Sequence, residues 1–498
     1  MNAVAASAPS TRTRWVDRWT WALLILGSIA LLGLSAYRAA TLPFNHDEGL
    51  SFAIFAWEPG WRATANHHPL NTALMHWCSI LFGNSELSLR LPNVLAHVMY
   101  LLCALALVTR MQNPGLRIAG FVLCNLNLFL VEFFIVARGY GLALGFEMLS
   151  LYLLVRAYGE RQRHLRRDLY LSVAAGSLAV LSNFSFVNYY LPLLLVSGWL
   201  LLTDGSLRRV SRSQIPATLV LLSGSGVFLS YILSKLFKLQ RTGMLYLGGH
   251  DSFVNDTVHS LVRCSLYSTM YSPAIAKTIS TILIGGLSLL LLVGLRQLFL
   301  PKDAIVGLLA LMLASAAALP VLEHHLFDAL FPVHRAALYY VPLYALVLVY
   351  ALDLLRGMRS HWWRSIVGPI VATATAVTVG WYFGRGLSAR SVCAWWEDAH
   401  NREVLELIKR DRAQTLPMRS VKLRASWLME PSLNFYRVTR KYTWLMRVTR
   451  KPPPRSETDY IYTYDSALSE LPGHRDTRLA SYPDIGTVLL RVNHADGP

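Results

Sequence analysis

Eleven largely apolar stretches divide this 498-residue chain, and no other feature limits its folding as much. They run over 20–38, 92–110, 117–137, 139–156, 169–183, 184–203, 214–236, 275–296, 303–322, 336–355 and 364–384. Most are near the roughly 20 apolar residues that a helix needs to cross a bilayer. Inside lipid the backbone must satisfy its own polar groups, which a helix does within one segment. Charged residues are 15% of the chain, against about a quarter in a soluble domain. The expected fold is an α-helical polytopic membrane protein of about eleven transmembrane helices. The fifth stretch is short, and its separation from the sixth at Ser182-Asn183 is the least marked boundary.

The formal net charge of +18 suggests nucleic acid at first sight, but its distribution excludes that reading. With the N-terminus in the cytoplasm, the segments 1–19, 110–117, 156–168, 203–213, 296–303 and 356–364 face inward. They hold 18 of the 28 Lys/Arg found before residue 385, and the rest of that region holds the other 10. Cytoplasmic loops are marked in this way. The strongest anchor is the loop from Arg156 to Asp168, with Arg161, Arg163, Arg166 and Arg167. The polar start with Arg12, Arg14 and Arg18, and the lack of a small-residue cleavage site, read as an uncleaved first helix. An odd number of helices then exports the C-terminus.

Three regions are expected outside: a first loop over 39–91, a second over 237–274 with a Gly-rich tip at Leu247-Gly248-Gly249-His250, and the tail. The membrane part is set at 1–384 and the tail domain at 385–498. Alternating stretches at Tyr460 to Tyr464 and Thr487 to Val492 read as strands, and Trp395 to Ile408 as a helix. The tail is therefore a small C-terminal extracytoplasmic α/β domain. Within it Arg437-Val438-Thr439-Arg440-Lys441 recurs as Arg447-Val448-Thr449-Arg450-Lys451. That repeat fits either a basic surface for anionic headgroups or a solvated edge strand guarded by charge. Five cysteines show no paired spacing; Cys103 and Cys124 read as core residues, and a disulfide among Cys78, Cys264 and Cys393 is not legible.

The chemistry-bearing residues gather in the first loop. Asp47-Glu48 follows the first helix directly, where a carboxylate beside lipid suits a base acting on a hydroxyl. The plainer reading is a helix N-cap. His67-His68 offers ring nitrogens to a phosphate oxygen or a divalent cation, with no third metal ligand at diagnostic spacing. Glu132, Arg138 and Glu147 fall in or beside apolar stretches, where charge marks a substrate path by default. Arg138 with Tyr140, and His334-Arg335 with Tyr339-Tyr340, put cations on the outer side, as an anionic ligand needs; snorkelling at a helix end is the alternative.

In order and spacing, these elements resemble the C-type glycosyltransferases. They are Asp47-Glu48, His68-Pro69-Leu70, Glu86-Leu87-Ser88-Leu89-Arg90-Leu91-Pro92, Ala137-Arg138-Gly139-Tyr140, and His334-Arg335 with Leu338-Tyr339-Tyr340-Val341-Pro342. More narrowly, they resemble the group containing protein O-mannosyltransferases and lipid A aminoarabinose transferases. The resemblance is strongest over 40–160 and near 330–345. It implies inverting transfer of a sugar from a polyprenyl-phosphate carrier to an acceptor hydroxyl on the extracytoplasmic face, in a bacterial inner membrane. Asp47 would be the general base and Glu48 its neighbour, with His68, Arg138, Arg335 and Tyr339 at the donor phosphate. His67, Tyr140, Glu132 and His334 are further substrate-site candidates. The acceptor would be a glycolipid, a cell-envelope glycan or a protein. No cofactor is implied beyond the divalent cation already considered. The chain departs from the family in having one proline after His68 where relatives commonly carry two. A transporter of a lipid-linked glycan is the non-enzymatic alternative, but no pair of interrupted segments repeats between the two halves.

Overall fold

In the computed structural model, residues 11–494 are described apart from 61–63, 65–66, 112, 160, 204–214, 245–247, 267–271, 298–304, 358–367, 389–390, 417–418 and 471–475. Parts of all six segments expected to face inward, along with Asn66 and Leu247, lie outside the described residues. The helices are α1 (Thr11–Thr41), α2 (His46–Ala56), α3 (Pro69–Phe82), α4 (Glu86–Val108), α5 (Pro114–Asn125), α6 (Leu128–Glu132), α7 (Gly139–Gly159), α8 (Arg161–Ser182) and α9 (Val187–Thr203). There follow α10 (Ile215–Arg241), α11 (Ser260–Ser265), α12 (Pro273–Gln297), α13 (Ile305–Phe327), α14 (Tyr340–Gly357), α15 (Gly368–Gly386), α16 (Asn401–Thr415) and α17 (Glu430–Thr439). The strands are β1 (Leu423–Ala425), β2 (Tyr460–Tyr464), β3 (Thr477–Tyr482) and β4 (Thr487–Arg491).

The chain forms two compact units. The first comprises 1–35, 94–134 and 139–387; the second comprises 36–93, 135–138 and 388–498.

The first unit is helical. Among the described residues, six helices are long and apolar enough to cross a membrane: Asp17–Thr41, Glu86–Val108, Gly139–Gly159, Phe184–Thr203, Pro273–Gly294 and Ile305–Phe327. The ends of the first two, 36–41 and 86–93, belong to the second unit. On α12, Ile282, Leu289 and Leu292 stand 67%, 63% and 70% exposed, an outward apolar face that only a nonpolar surrounding suits. Within the unit α7 packs on α8, α13 on α9, α12 and α14, and α5 on α14 and α15. Tyrosine hydroxyls tie these helices by donating to buried carbonyls: Tyr100 to Cys124 (2.7 Å) and Tyr350 to Leu107 (2.8 Å). The boundary at Ser182-Asn183 is real, since Asn183 caps the short turn that opens α9.

The stretch 117–137 is not one helix. It ends at Asn125, restarts at Leu128 and gives way to turns after Glu132. The cause is local. Asn127 turns its side-chain oxygen to the Leu130 N–H (3.1 Å), an N-cap that stops one helix and starts another. Residues 135–138 then join the second unit.

In the second unit the sheet order is β1-β2-β4-β3, with β1 parallel to β2 and the other pairs antiparallel. The turn from β3 to β4 closes through Gly486 at φ +62°, which favours glycine. Strands expected at Tyr460 and Thr487 are present. The helix expected over Trp395 to Ile408 begins later, at Asn401, after a 3-10 segment kinked at Trp395. One apolar core joins Val404, Leu405 and Ile408 of α16, Leu433 and Tyr436 of α17 and Tyr460, Tyr462 and Leu489 of the sheet to Phe44, Phe52, Met75 and Leu89 of the first loop. Gly49 lets α2 pack against α17, because a Cβ there would lie 2.6 Å from the Pro431 carbonyl carbon.

Candidate active site

The acidic pair opens α2. Asn45 is the N-cap, accepting the Glu48 N–H (2.9 Å) while Glu48 accepts the Asn45 N–H (2.9 Å), so a capping box fixes the first turn. The N-cap reading of the acidic pair is thus corrected: the cap is Asn45, and Glu48 completes the box from the third helical position.

Glu48 is fully buried. Besides Asn45, it accepts from Arg90 Nε and Nη2, each at 2.7 Å, and from the Ala137 N–H at 2.5 Å. A carboxylate has about four acceptor directions, and here four donors occupy them. Arg90 is equally committed. Its other three N–H groups reach the carbonyls of Ala39 (3.0 Å), Leu42 (2.8 Å) and Pro43 (2.7 Å). This buried fork holds the exit of α1 against the start of α2.

Asp47, one residue earlier, has a different neighbourhood. Its Oδ2 lies 3.5 Å from Arg138 Nη2, an ion-pair distance longer than a hydrogen bond. Arg138 Nη1 donates to Ser51 Oγ (3.1 Å) and to the Asp47 carbonyl (3.3 Å). A buried guanidinium at this range stabilises negative charge on the carboxylate. Backbone bonds hold Arg138 in place: the Ala137 N–H goes to Glu48, and its carbonyl accepts from Asn71 Nδ2 (2.9 Å), which Asn93 braces in turn (2.9 Å). Arg138 N–H closes a three-residue turn onto Val136 (2.8 Å).

His46 completes the corner and was not singled out by the sequence. Its N–H donates to Asp398 Oδ2 (2.7 Å), and its Nδ1 lies 2.6 Å from the Leu428 carbonyl. A nitrogen facing a carbonyl must carry the proton, which fixes the tautomer. Burial, ahead of its charged neighbours, pushes the His46 imidazole below its ordinary value. Burial likewise pushes the Asp398 carboxyl well above the usual range.

His68 is buried as the N-cap residue of α3, with Pro69 in the first turn; its carbonyl accepts the Thr72 N–H (2.9 Å). His67 precedes it, partly exposed. Among the described residues no group of three or more His, Cys, Asp or Glu is gathered as a metal ion needs.

The remaining predicted residues belong to the first unit. Arg335 stands over the Tyr140 ring at 5.9 Å, and Tyr339 packs on Tyr340 (4.3 Å) and Phe186 (5.8 Å). His334 has φ +49°, a left-handed conformation costly for a residue with a Cβ. Its N–H donates to Ser260 Oγ (2.9 Å), which helps hold that turn and so presents Arg335. Burial, then Arg335 and Arg263, push the His334 imidazole below its ordinary value. Glu132 is buried at the end of α6.

Of the residues that build the corner, Arg90, Asn71, Asn93 and Asp398 carried no individual signal in the sequence. Arg90 lay within a recognised run, but nothing there named Glu48 as its partner.

Residues 66–233 match the family model described as dolichyl-phosphate-mannose-protein mannosyltransferase. The fold and this match bear out the resemblance to C-type glycosyltransferases, and the chain is an integral membrane protein with that architecture. The apo crystal structure of ArnT from Cupriavidus metallidurans is similar at a TM-score of 0.51 and 13% identity, covering 97% of this chain and 98% of that one. The structure of ArnT from the same organism bound to undecaprenyl phosphate is similar at 0.51 and 14%, covering 96% and 98%. A search of curated protein sequences finds no match.

Proposed function

We propose that this chain is an inverting glycosyltransferase that moves a sugar from a polyprenyl-phosphate carrier to an acceptor hydroxyl on the extracytoplasmic face of the membrane. Asp47 is the general base. It takes the hydroxyl proton as the acceptor oxygen bonds to the anomeric carbon, and the anomeric C–O bond breaks with its electron pair leaving on the carrier phosphate. The observation that carries this is the contrast between neighbours. Glu48 spends its acceptor positions on the scaffold, whereas Asp47 sits in the same first turn against a cation at 3.5 Å. Glu48 therefore serves as a positioning residue.

Arg138 and His68 are the second unit's proposed partners for donor phosphate, where cations stabilise charge on the leaving group. Arg335 and Tyr339 keep the same assignment from the resemblance, supported by the turn that presents Arg335. The carrier class is supported by the undecaprenyl phosphate bound in the similarly folded ArnT. The favoured acceptor is a glycolipid or envelope glycan. The family-model match supports a second reading, a protein hydroxyl.

The test is transfer by Asp47→Asn in membranes supplied with polyprenyl-phosphate sugars. A drop of about 100- to 10,000-fold is expected for a lost general base, and transfer at the unaltered rate overturns the assignment. Mass spectrometry of glycolipids and glycopeptides from cells with and without the chain separates the two acceptors.

A further inference from the structure

The two copies of the Arg-Val-Thr-Arg-Lys repeat meet different fates. In the first, Arg440 lies over the Tyr436 ring (5.4 Å) and within 3.6 Å of Glu406 and 3.9 Å of Glu86, an ion network of the scaffold. The second lies in the irregular segment after α17, so neither copy is an edge strand. There Arg447 pairs with Glu58 (2.9 Å), and the Arg450 guanidinium lies 5.1 Å from the centre of the Trp427 ring.

Trp427 sits on the turn between β1 and α17 and is 49% exposed. Its ring meets the His46 imidazole edge to face at 5.7 Å, and the carbonyl of the next residue, Leu428, holds His46 Nδ1. His46 directly precedes Asp47. The indole is therefore one ring contact and one peptide step from the proposed base, within one compact unit. A half-open indole held by two neighbours is a preorganised apolar surface, suited to the C–H face of a sugar ring. The guanidinium beside it matches the oxygens of a phosphate or carboxylate.

We infer that Trp427 and Arg450 form an acceptor-side subsite that takes a saccharide carrying an anionic group, with phosphate the best match. This rests on Asp47 being the base, since it is proximity to Asp47 that makes the platform an acceptor site. Sugar stacking on Trp427 sets affinity, and Arg450 sets the preference for the charged form.

The experiment measures equilibrium binding to the full chain in phosphatidylcholine nanodiscs, using maltose 1-phosphate, maltose and inorganic phosphate as probes. Maltose 1-phosphate is expected to bind about tenfold or more tightly than either other probe. Trp427→Ala should weaken both sugar probes, while Arg450→Gln should bring maltose 1-phosphate down to the level of maltose, with partial recovery in Arg450→Lys. Unchanged melting temperatures would show that these exposed substitutions leave the fold intact. Wild-type binding by both variants overturns the proposal. So does equal binding of inorganic phosphate and maltose 1-phosphate, or loss of sugar binding to phosphatidylglycerol added to the discs, which would make the patch a lipid contact. Transfer by Asp47→Asn reads the base assignment separately. If it is retained, the base fails while the binding result stands; if it is lost while Trp427→Ala and Arg450→Gln bind normally, only the subsite fails.

Discussion

Two regions of this chain hold buried or half-buried charge at the start of a helix, and they do it by opposite means. At the α2 corner of the second unit, geometry is overdetermined: a capping box, a five-donor arginine and a backbone clamp at Ala137 all meet at Glu48. At the turn before α14 in the first unit, a left-handed His334 is held by the Ser260 hydroxyl, and Arg335 leans on an aromatic ring. The first arrangement suits a base whose carboxylate must not wander. The second suits a cation on a strained turn, where backbone cost and function often coincide.

The sharpest way to break this comparison is at Arg90. Arg90→Leu leaves Glu48 buried without its cation and should destabilise by about 3–5 kcal/mol, read as loss of folded chain in detergent melting. The double variant Arg90→Leu with Glu48→Leu should recover much of that, because no charge is then stranded. If the single variant melts like the unaltered chain, the corner is not overdetermined. Next, Glu48→Gln should lower the melting temperature more than Asp47→Asn, since an amide cannot accept from all four donors while Asp47 loses a single ion pair at 3.5 Å, and it is Asp47→Asn that should collapse transfer. Equal loss of stability in both would erase the distinction between scaffold and base.

Smaller effects probe each region alone. In the first unit, Ser260→Ala removes the acceptor for the His334 N–H and should cost about 1 kcal/mol, with a matching rise in donor KM; no change in either would show that other contacts hold the turn. In the second, the His46 imidazole is depressed by burial, so the unfolded chain takes up its proton first. Stability at His46 is therefore intact above about pH 6.5 and is lost as pH falls below it, by at most about 1.4 kcal/mol per pH unit. Asp398, raised by burial, acts in the opposite sense, but it is present in both chains when His46→Asn is compared with the original. Melting from pH 7 to pH 5 should be flatter in His46→Asn; parallel curves would remove His46 from the pH response.

Much of this was legible in the sequence, for reasons particular residues make plain. Apolar stretches announced the helices because lipid leaves the backbone few choices, and the order of the acidic, His-Pro, Arg-Gly-Tyr and His-Arg elements carried the resemblance to C-type glycosyltransferases. The strands expected at Tyr460 and Thr487 formed, and both of their faces are buried: Tyr460, Tyr462 and Leu489 in the main core, Ile461, Val488 and Leu490 in a second cluster. The break in 117–137 carried a readable signal, Asn125 and Asn127 in an otherwise apolar run, but hydrophobicity outweighed it. Glu48 and Arg90 could not be paired beforehand, since 42 positions separate them and no periodicity spans that gap. His46 hid for a simpler reason: its role comes from Leu428 and Asp398, far along the chain.

The corner also limits what substitutions the chain can tolerate. A guanidinium with every donor spoken for is a knot tied through Ala39, Leu42, Pro43 and Glu48, and a lysine, with three donors and no planar fork, cannot retie it. Positions 48 and 90 can therefore be exchanged only as a pair. A designer seeking a new acceptor should leave that knot alone and vary Trp427 and Arg450, whose exposed side chains can be altered without untying it.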